Sequence, residues 1–543
     1  MSGADESNVA DIIVIGSGAA GLTAALTAAD QGQSVIVLER SDKIGGTTVF
    51  SGALLWAPLN PKRHEIGVDD SREEALDYIR QTVGGPLDEQ RAAAFVDNAA
   101  ETIQFVEQAT DLTLVNCPYP DSFVETTGGK AHGRHLEPAF YPIGSLGRAK
   151  RMLRTPFTPP LISFVEMLRQ GFLARFPSIV RNSIPKIAFR IIANRRSGGL
   201  ALVAGLLKAC LKRGVRIELN ARARELEIDA DGRVCGVSTE SQSFHARRAV
   251  ILACGGFEHD EALAAQHIPA PLQRLASPPG LAGGDNVRLA EQAGAHLENM
   301  QMYWNWPASA TDKSVYEGRK IGLLMVGERT LPHSLWINAH GERFCNESAH
   351  NVAYAFEQRD SRGAFVNQPA WSIMDSQFRR KYPIMYSAMP GSKKDPAWLI
   401  KAESLDELAD KLGVPAAALK RTIERFNAFA REGDDQDFDR GKHAYERTLG
   451  DTRAPHPNLG TLEQAPYYAL PVYASAVGTR GGARTDEHGR VTRADNSVVP
   501  GLYGAGNAVA SFVAPNIMGG GATIMPAMTF GRRAALHAAR TNL

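Results

Sequence analysis

An α/β architecture, a parallel sheet interrupted by an inserted α+β segment, is what this 543-residue sequence predicts. Three observations carry the prediction. The apolar run Asp11-Ile12-Ile13-Val14-Ile15 enters a glycine turn, Gly16-Ser17-Gly18-Ala19-Ala20-Gly21, and then a small-residue helix. Two later apolar runs, Ala246 to Ala253 and Val499 to Gly504, also enter glycine turns. Between them, residues 284–452 change character: five of the six tryptophans lie there.

The first strand reads as buried on both faces, because its apolar residues do not alternate with polar ones. Gly16 makes the turn, Gly18 lets the backbone approach a pyrophosphate, and Gly21 lets helix and strand pack closely. Ala19 and Ala20 open a helix whose free N–H groups suit phosphates. Val35 to Leu38 is the neighbouring strand. Glu39 at its end, followed by Arg40, is placed to accept hydrogen bonds from a ribose hydroxyl, and its charge disfavours a 2′-phosphate. This Rossmann-like pattern points to an adenosine dinucleotide and leaves FAD and NAD open.

Gly45-Gly46-Thr47-Thr48 and Ser51-Gly52 follow, with amides and hydroxyls suited to a phosphate or a flavin edge. Residues 71–110 read as two helices from the spacing of Ala75, Tyr78, Ile79 and Val83, then Phe95, Ile103 and Val106. Residues 118–142, rich in Pro, Gly and aromatics, read as an irregular lining segment. A helix over Ala201 to Lys212, a strand over Val215 to Leu219 and a hairpin turned at Asp231-Gly232 come next. The strand ending in Ala253-Cys254-Gly255-Gly256 then suggests a second close approach to the cofactor. The last strand enters Gly504-Ala505-Gly506-Asn507. Gly519-Gly520-Gly521 opens the final helix through Thr523 and Ile524, and its N–H groups suit a flavin edge or a substrate carbonyl. The predicted division is therefore 1–283, the first part of the dinucleotide domain with a basic helical insertion at 148–196; 284–452, a substrate or cap domain; and 453–543, the returning part.

Sixty basic against 59 acidic residues argue against a nucleic-acid partner. Five scattered cysteines form no C-x-x-C pair, so neither a metal nor a disulfide framework is expected, and a reduced, cytoplasmic setting fits. The polar first ten residues hold no signal-peptide core, and no apolar run is long enough to span a bilayer. Segment 148–196 sets eleven basic residues against one acid, Glu166, with Leu161, Ile162, Phe164, Val165 and Phe176 interleaved. It reads either as helices packed on the domain with a solvated basic face, or as a peripheral contact with an anionic membrane.

The stretch from Lys43 to Ala53, beside the glycine motif and Glu39, resembles the flavoprotein superfamily of fumarate reductase and succinate dehydrogenase. Gly128 to Pro138, His333 to Asn338, Gly341 to Ser348, Pro466 to Ala469, Gly478 to Gly482, Arg484 to Asp486 and Gly521 to Ile524 are similar to motifs of the flavin-dependent 3-ketosteroid dehydrogenases. The resemblance covers nearly the whole chain. It implies a Rossmann-like FAD-binding domain interrupted by the inserted domain. FAD would be held non-covalently, since no histidine stands in Gly46-Thr47-Thr48. The implied contacts are Gly16, Gly18, Ala19, Ala20, Gly21, Glu39, Arg40, Gly45, Gly46, Thr47, Thr48, Ser51, Gly52, Ala253, Gly255, Gly506, Asn507, Thr523 and Ile524.

The implied activity is desaturation of a cyclic apolar ketone, steroid-like or smaller. A base takes the α-proton, flavin N5 takes the β-hydride, and an external acceptor reoxidises the flavin. Family members use tyrosines and a backbone amide of the last glycine loop. Here the amide is that of Gly521. The tyrosine positions are Phe123, Asn351 and Ile517, which become pocket residues, and His350 or Tyr354 is left to supply the base. The cationic positions of fumarate-type reductases read Gly478, Met518 and Asn351-Val352, so a dicarboxylate substrate fits poorly. Two rivals stand beside this reading: an enone reductase running in reverse, and a non-catalytic flavin-binding protein with a degraded site.

Overall fold

The computed structural model describes residues 6–157, 160–268, 282–312, 314–385, 387–392 and 394–541. The strand Val9–Ile15 lies inside an eight-stranded sheet. Ser243–Leu252 and Val35–Leu38 flank it in parallel, with Ile13 opposite Val250 on one side and Ile36 on the other. Val498–Gly504 and Arg216–Glu218 extend the parallel part. Arg490–Thr492 and the hairpin Glu225–Ile228/Val234–Ser238 add antiparallel strands. Ile12, Ile13, Val14 and all of Val35–Leu38 are buried, as unbroken apolar runs require.

The helix Ala19–Asp30 packs on this sheet and against the helices Gly198–Lys212 and Ile524–Arg540. A Cβ on Gly21 would sit 2.0 Å from the Gly16 carbonyl oxygen, so only glycine lets the helix begin so close to its strand. Leu22 and Leu26 of this helix are fully buried, each contributing about 1.5–3 kcal/mol. The two helices expected within 71–110 are present as Arg72–Val83 and Glu89–Ala109, started by caps from Ser71 and Asp88.

A second sheet has six strands, in the order Leu323–Leu324, Tyr303–Ser309, Tyr467–Thr479, Ala370–Met374 and Ser334–Asn338, with Ile400–Ala402 also paired to Tyr467–Thr479. All these pairings are antiparallel. The strand Tyr467–Thr479, placed by sequence in the returning part of the dinucleotide fold, thus belongs to the second sheet. Its apolar residues Ala469, Leu470, Val472 and Ala474 are buried there. An apolar run declares burial without saying which sheet buries it.

Within 148–196, residues 158–159 lie outside the described residues. Phe164–Arg169 and Phe176–Ile192 are helices. Part of the basic charge is internal rather than solvated. Arg154 is buried, donates to Ser41 Oγ at 2.9 Å and pairs with Glu317. Arg190 lies 3.5 Å from the Phe140 ring centroid and donates to both Glu166 oxygens, at 2.6 and 2.9 Å. Arg148, Lys150, Arg151, Arg169, Arg175, Arg181 and Lys186 remain exposed. Among the described residues no helix is long and apolar enough to cross a membrane.

Candidate active site

A cavity of about 910 Å³ runs from the Gly16 turn to the loop Gly519-Gly520-Gly521. Its first half is a cradle of glycines. Gly16 holds φ at +107°, and a Cβ there would lie 2.4 Å from the Ala253 carbonyl oxygen, so the turn closes on the neighbouring strand. Gly18 is different: the nearest atom to a Cβ is Thr48 Oγ1 at 3.5 Å. For Gly46 and Gly255 the nearest lies at 3.9 Å, and for Gly52 there is nothing within 4 Å. These missing side chains border open space, which is what a closely fitted dinucleotide needs. The residues present therefore fit FAD.

Thr48 Oγ1 accepts from the Ala19 N–H at 3.1 Å, which ties the threonine loop to the helix start. Gly199 permits that loop's position, since a Cβ there would sit 1.8 Å from the Thr48 carbonyl oxygen. Glu39 is buried and accepts from Ser17 Oγ at 2.5 Å and from the Ser41 N–H at 3.0 Å. Burial raises its carboxyl above the ordinary range, and these hydrogen bonds act against that rise. Arg40 faces Asp285 at 3.7 Å. Trp304 Nε1 donates to Asn507 Oδ1 at 3.2 Å. Seventeen of the nineteen residues named for the cofactor line the cavity. Gly21 and Gly45 do not. Gly21 serves the helix–strand contact, and a Cβ on Gly45 would meet Val49 at 2.4 Å.

The second half is apolar, with Leu54, Phe164, Met167, Phe176, Trp306, Leu323, Leu324, Val326 and Ile517 in its wall. Gly521 borders it with φ +84°, and a Cβ there would sit 2.5 Å from the Trp56 nitrogen. Its carbonyl accepts from the Met525 N–H at 3.3 Å, while its own N–H has no acceptor among the described residues. His135 Nε2, 3.1 Å from the Gly520 carbonyl oxygen, pins the same loop.

His350 also lines the cavity. It is 5% exposed, its Nδ1 lies 3.1 Å from the Tyr445 hydroxyl, and its Nε2 has no partner among the described residues. Burial first, then the Arg329 guanidinium, push its pKa down to about 3. Tyr354 stands elsewhere. Its hydroxyl donates to the Pro515 carbonyl at 2.7 Å and accepts from Arg480 Nη2 at 2.6 Å, and it does not border the cavity. Arg480 Nη1 donates to the carbonyls of Val513, Pro515 and Asn516, so the pair clamps the loop that leads to Ile517. Asn351 and Phe123 are not in the wall either; Phe123 packs edge-on against His350 with 6.2 Å between ring centroids.

Several wall residues are not among the site residues named from the sequence. Phe164, Met167, Phe176 and Ile187 come from the basic segment, whose interleaved apolar residues were the available signal. Trp306 comes from the second sheet and packs on His350 at 5.2 Å between centroids. Tyr119, Arg329 and Tyr445 meet behind His350 from distant parts of the chain; Tyr119 falls in the aromatic segment read as lining, and nothing in the local sequence marks Arg329 or Tyr445.

Comparison with known proteins gives consistent relatives. A family model described as FAD binding domain matches residues 11–524. A 3-oxosteroid 1-dehydrogenase of Mycolicibacterium smegmatis is 37% identical over 98% of this chain and 97% of its own length. A 4-oxocyclohexanecarboxylate 2-dehydrogenase of Sinomonas cyclohexanicum is 37% identical over 96% of this chain and 91% of its own. The crystal structure of a 3-ketosteroid delta1-dehydrogenase from Sterolibacterium denitrificans, in complex with 1,4-androstadiene-3,17-dione, superposes with a TM-score of 0.90 at 32% identity, covering 98% of this chain and 99% of that one.

Proposed function

The chain is an FAD-dependent dehydrogenase that belongs to the flavin-dependent 3-ketosteroid dehydrogenase family, and on that premise we propose that it desaturates a cyclic, apolar ketone next to its carbonyl. The α-proton and a β-hydride leave the ring, which becomes the enone. FAD, when bound, supplies the hydride acceptor, and an external acceptor takes the electrons on. One observation carries the reading: a single cavity joins the glycine cradle to an apolar half bordered by Gly521, whose backbone N–H has no acceptor among the described residues. A donor aimed at the ketone oxygen stabilises the enolate-like charge that builds there, and a dry apolar wall strengthens that interaction. Gly16, Gly18, Glu39, Thr47, Thr48, Ser51, Gly52, Gly255, Gly506 and Asn507 would hold the cofactor. Because no histidine stands in Gly46-Thr47-Thr48, acid precipitation should release all the flavin into the supernatant.

We read residues 284–452 together with the strand Tyr467–Thr479 as the substrate cap, set on a Rossmann-like domain formed by the rest. The helix Phe176–Ile192 leaves Ile184, Phe189, Ile191 and Ile192 exposed, 85% in the case of Ile192, with Arg181 and Lys186 on the same helix. Apolar and basic residues exposed together suit an anionic membrane surface, from which an apolar ketone could be drawn.

The test is the visible spectrum of the FAD-loaded protein, kept anaerobic, before and after adding saturated ring ketones. The panel holds 3-oxosteroids and 4-oxocyclohexanecarboxylate, the compounds in the relatives' names. Bleaching of the oxidised flavin band by one of them is the expected result and names the substrate class. A spectrum unchanged by every ketone, with the chemically reduced protein reoxidised by the matching enones, would replace desaturation by enone reduction.

A further inference from the structure

Two buried tyrosines behind the apolar half of the cavity set the state of a group that faces it. The Tyr119 and Tyr445 hydroxyls lie 3.1 Å apart, and the Tyr445 hydroxyl lies 3.1 Å from His350 Nδ1. Tyr119 and Tyr445 are 4% and 1% exposed and do not border the cavity, so each of their hydroxyl hydrogens needs an acceptor within the protein. The Tyr119 hydroxyl has one hydrogen-bond partner among the described residues, the Tyr445 oxygen. Its hydrogen must therefore point at Tyr445. With that lone pair occupied, the hydrogen of Tyr445 has one acceptor left, His350 Nδ1. The reverse polarity, with Nδ1–H donating to Tyr445 and Tyr445 to Tyr119, would strand the Tyr119 hydrogen in an apolar wall, at a cost of about 1–3 kcal/mol.

A neutral imidazole that accepts at Nδ1 carries its hydrogen on Nε2. Nε2 has no partner among the described residues, and the residue borders the cavity. We infer that His350 presents an Nε2–H to the cavity and donates it to the ketone oxygen of the substrate, with Tyr445 and Tyr119 as the positioning residues that hold this tautomer. Ile517, in the same cavity wall, offers no hydrogen bond. Arg329, wholly buried and stacked 4.9 Å from the centroid of Trp306, helps keep the ring uncharged. A neutral donor stabilises negative charge developing on oxygen without delivering a proton outright. His350 is then a second donor beside the Gly521 amide rather than the acceptor of the α-proton. The identity of the bound oxygen rests on the ketone reading above; the tautomer does not.

Two measurements on FAD-loaded protein test the two parts separately. The first is long-range 1H–15N NMR of 15N-histidine-labelled protein, with the His350 signals assigned by their loss in His350→Gln. The expected result is a neutral ring with its proton on Nε2 in the wild type, and a loss of that preference in Tyr445→Phe. A proton on Nδ1, or an unchanged tautomer in Tyr445→Phe, overturns the inference. The second is the isotope-edited infrared band of a carbonyl-13C ring ketone bound under conditions where turnover is blocked by prior reduction of the flavin. The band should shift to lower frequency in the wild type, with the shift diminished and binding about tenfold weaker in His350→Phe. An equal shift in both proteins removes His350 from the carbonyl. Failure of any ring ketone to bind overturns the ketone as the donor's target, and the NMR result still decides the tautomer.

Discussion

Replacing Tyr354 by phenylalanine separates a chemical role from an architectural one. The hydroxyl accepts from Arg480 Nη2 at 2.6 Å and donates to the Pro515 carbonyl at 2.7 Å. Arg480 is 1% exposed, so Tyr354→Phe leaves a buried guanidinium N–H without its acceptor. Stranding such a group costs about 1–3 kcal/mol. That loss falls on the loop from Val513 to Asn516, whose carbonyls Arg480 also holds. It should appear as a lower unfolding midpoint with FAD retained, and as a fall in the rate of flavin reduction by ketone of about tenfold or less. A tyrosine acting as general base would instead be missed by about 10²- to 10⁴-fold in that rate. The assay is stopped-flow bleaching of the flavin under anaerobic conditions, paired with thermal unfolding followed by flavin fluorescence. A thousandfold slower reduction with an unchanged midpoint would refute the clamp and return Tyr354 to the chemistry.

Three further outcomes follow from the geometry. Gly18→Val puts a branched side chain into the open space beside Thr48 and should weaken FAD binding by about 10- to 100-fold while the fold persists, as read by flavin titration of the apoprotein; unchanged affinity would place the dinucleotide elsewhere. Glu258, buried in the cavity wall, has its pKa pushed up to about 7 by burial, from 4.5. Its raised value means that its contribution to stability is complete below about pH 4.5 and is lost as pH rises through about 7, a change of about 3 kcal/mol. Glu258→Gln should therefore flatten the fall in stability between pH 5 and pH 8 measured by denaturant unfolding, and the same slope in both proteins would count against it. Phe189→Glu with Ile192→Glu should abolish sedimentation with phosphatidylglycerol vesicles and leave flavin reduction by a water-soluble ketone unchanged; equal sedimentation of variant and wild type would remove the helix Phe176–Ile192 from any membrane contact.

The glycine half of the cavity was legible in the sequence because its parts are local. A strand, a glycine turn and a helix follow one another between Val9 and Asp30, and the acid comes directly after the next strand. Their spacing alone determines that Gly18 meets open space and that Gly21 meets the Gly16 carbonyl. The apolar runs likewise determined which strands are buried, since a strand covered on both faces has no place for alternating polar residues.

Chain separation is what hid the rest. Tyr119, His350 and Tyr445 are brought together by hydrogen bonds that span 326 and 95 residues, and no periodicity encodes such a meeting. The same holds for Tyr354. Its place three residues after Asn351 makes it a candidate base, yet Arg480 and Pro515 hold its hydroxyl and it does not border the cavity. The strand Tyr467–Thr479 was legible as a strand but not as a member of the second sheet, because a run of apolar residues fixes burial and leaves the partner free. The sequence by itself determined the glycine turn and the apolar strands; which side chains line the apolar half of the cavity was decided by tertiary packing, where the need of buried hydroxyl hydrogens for acceptors selects one arrangement.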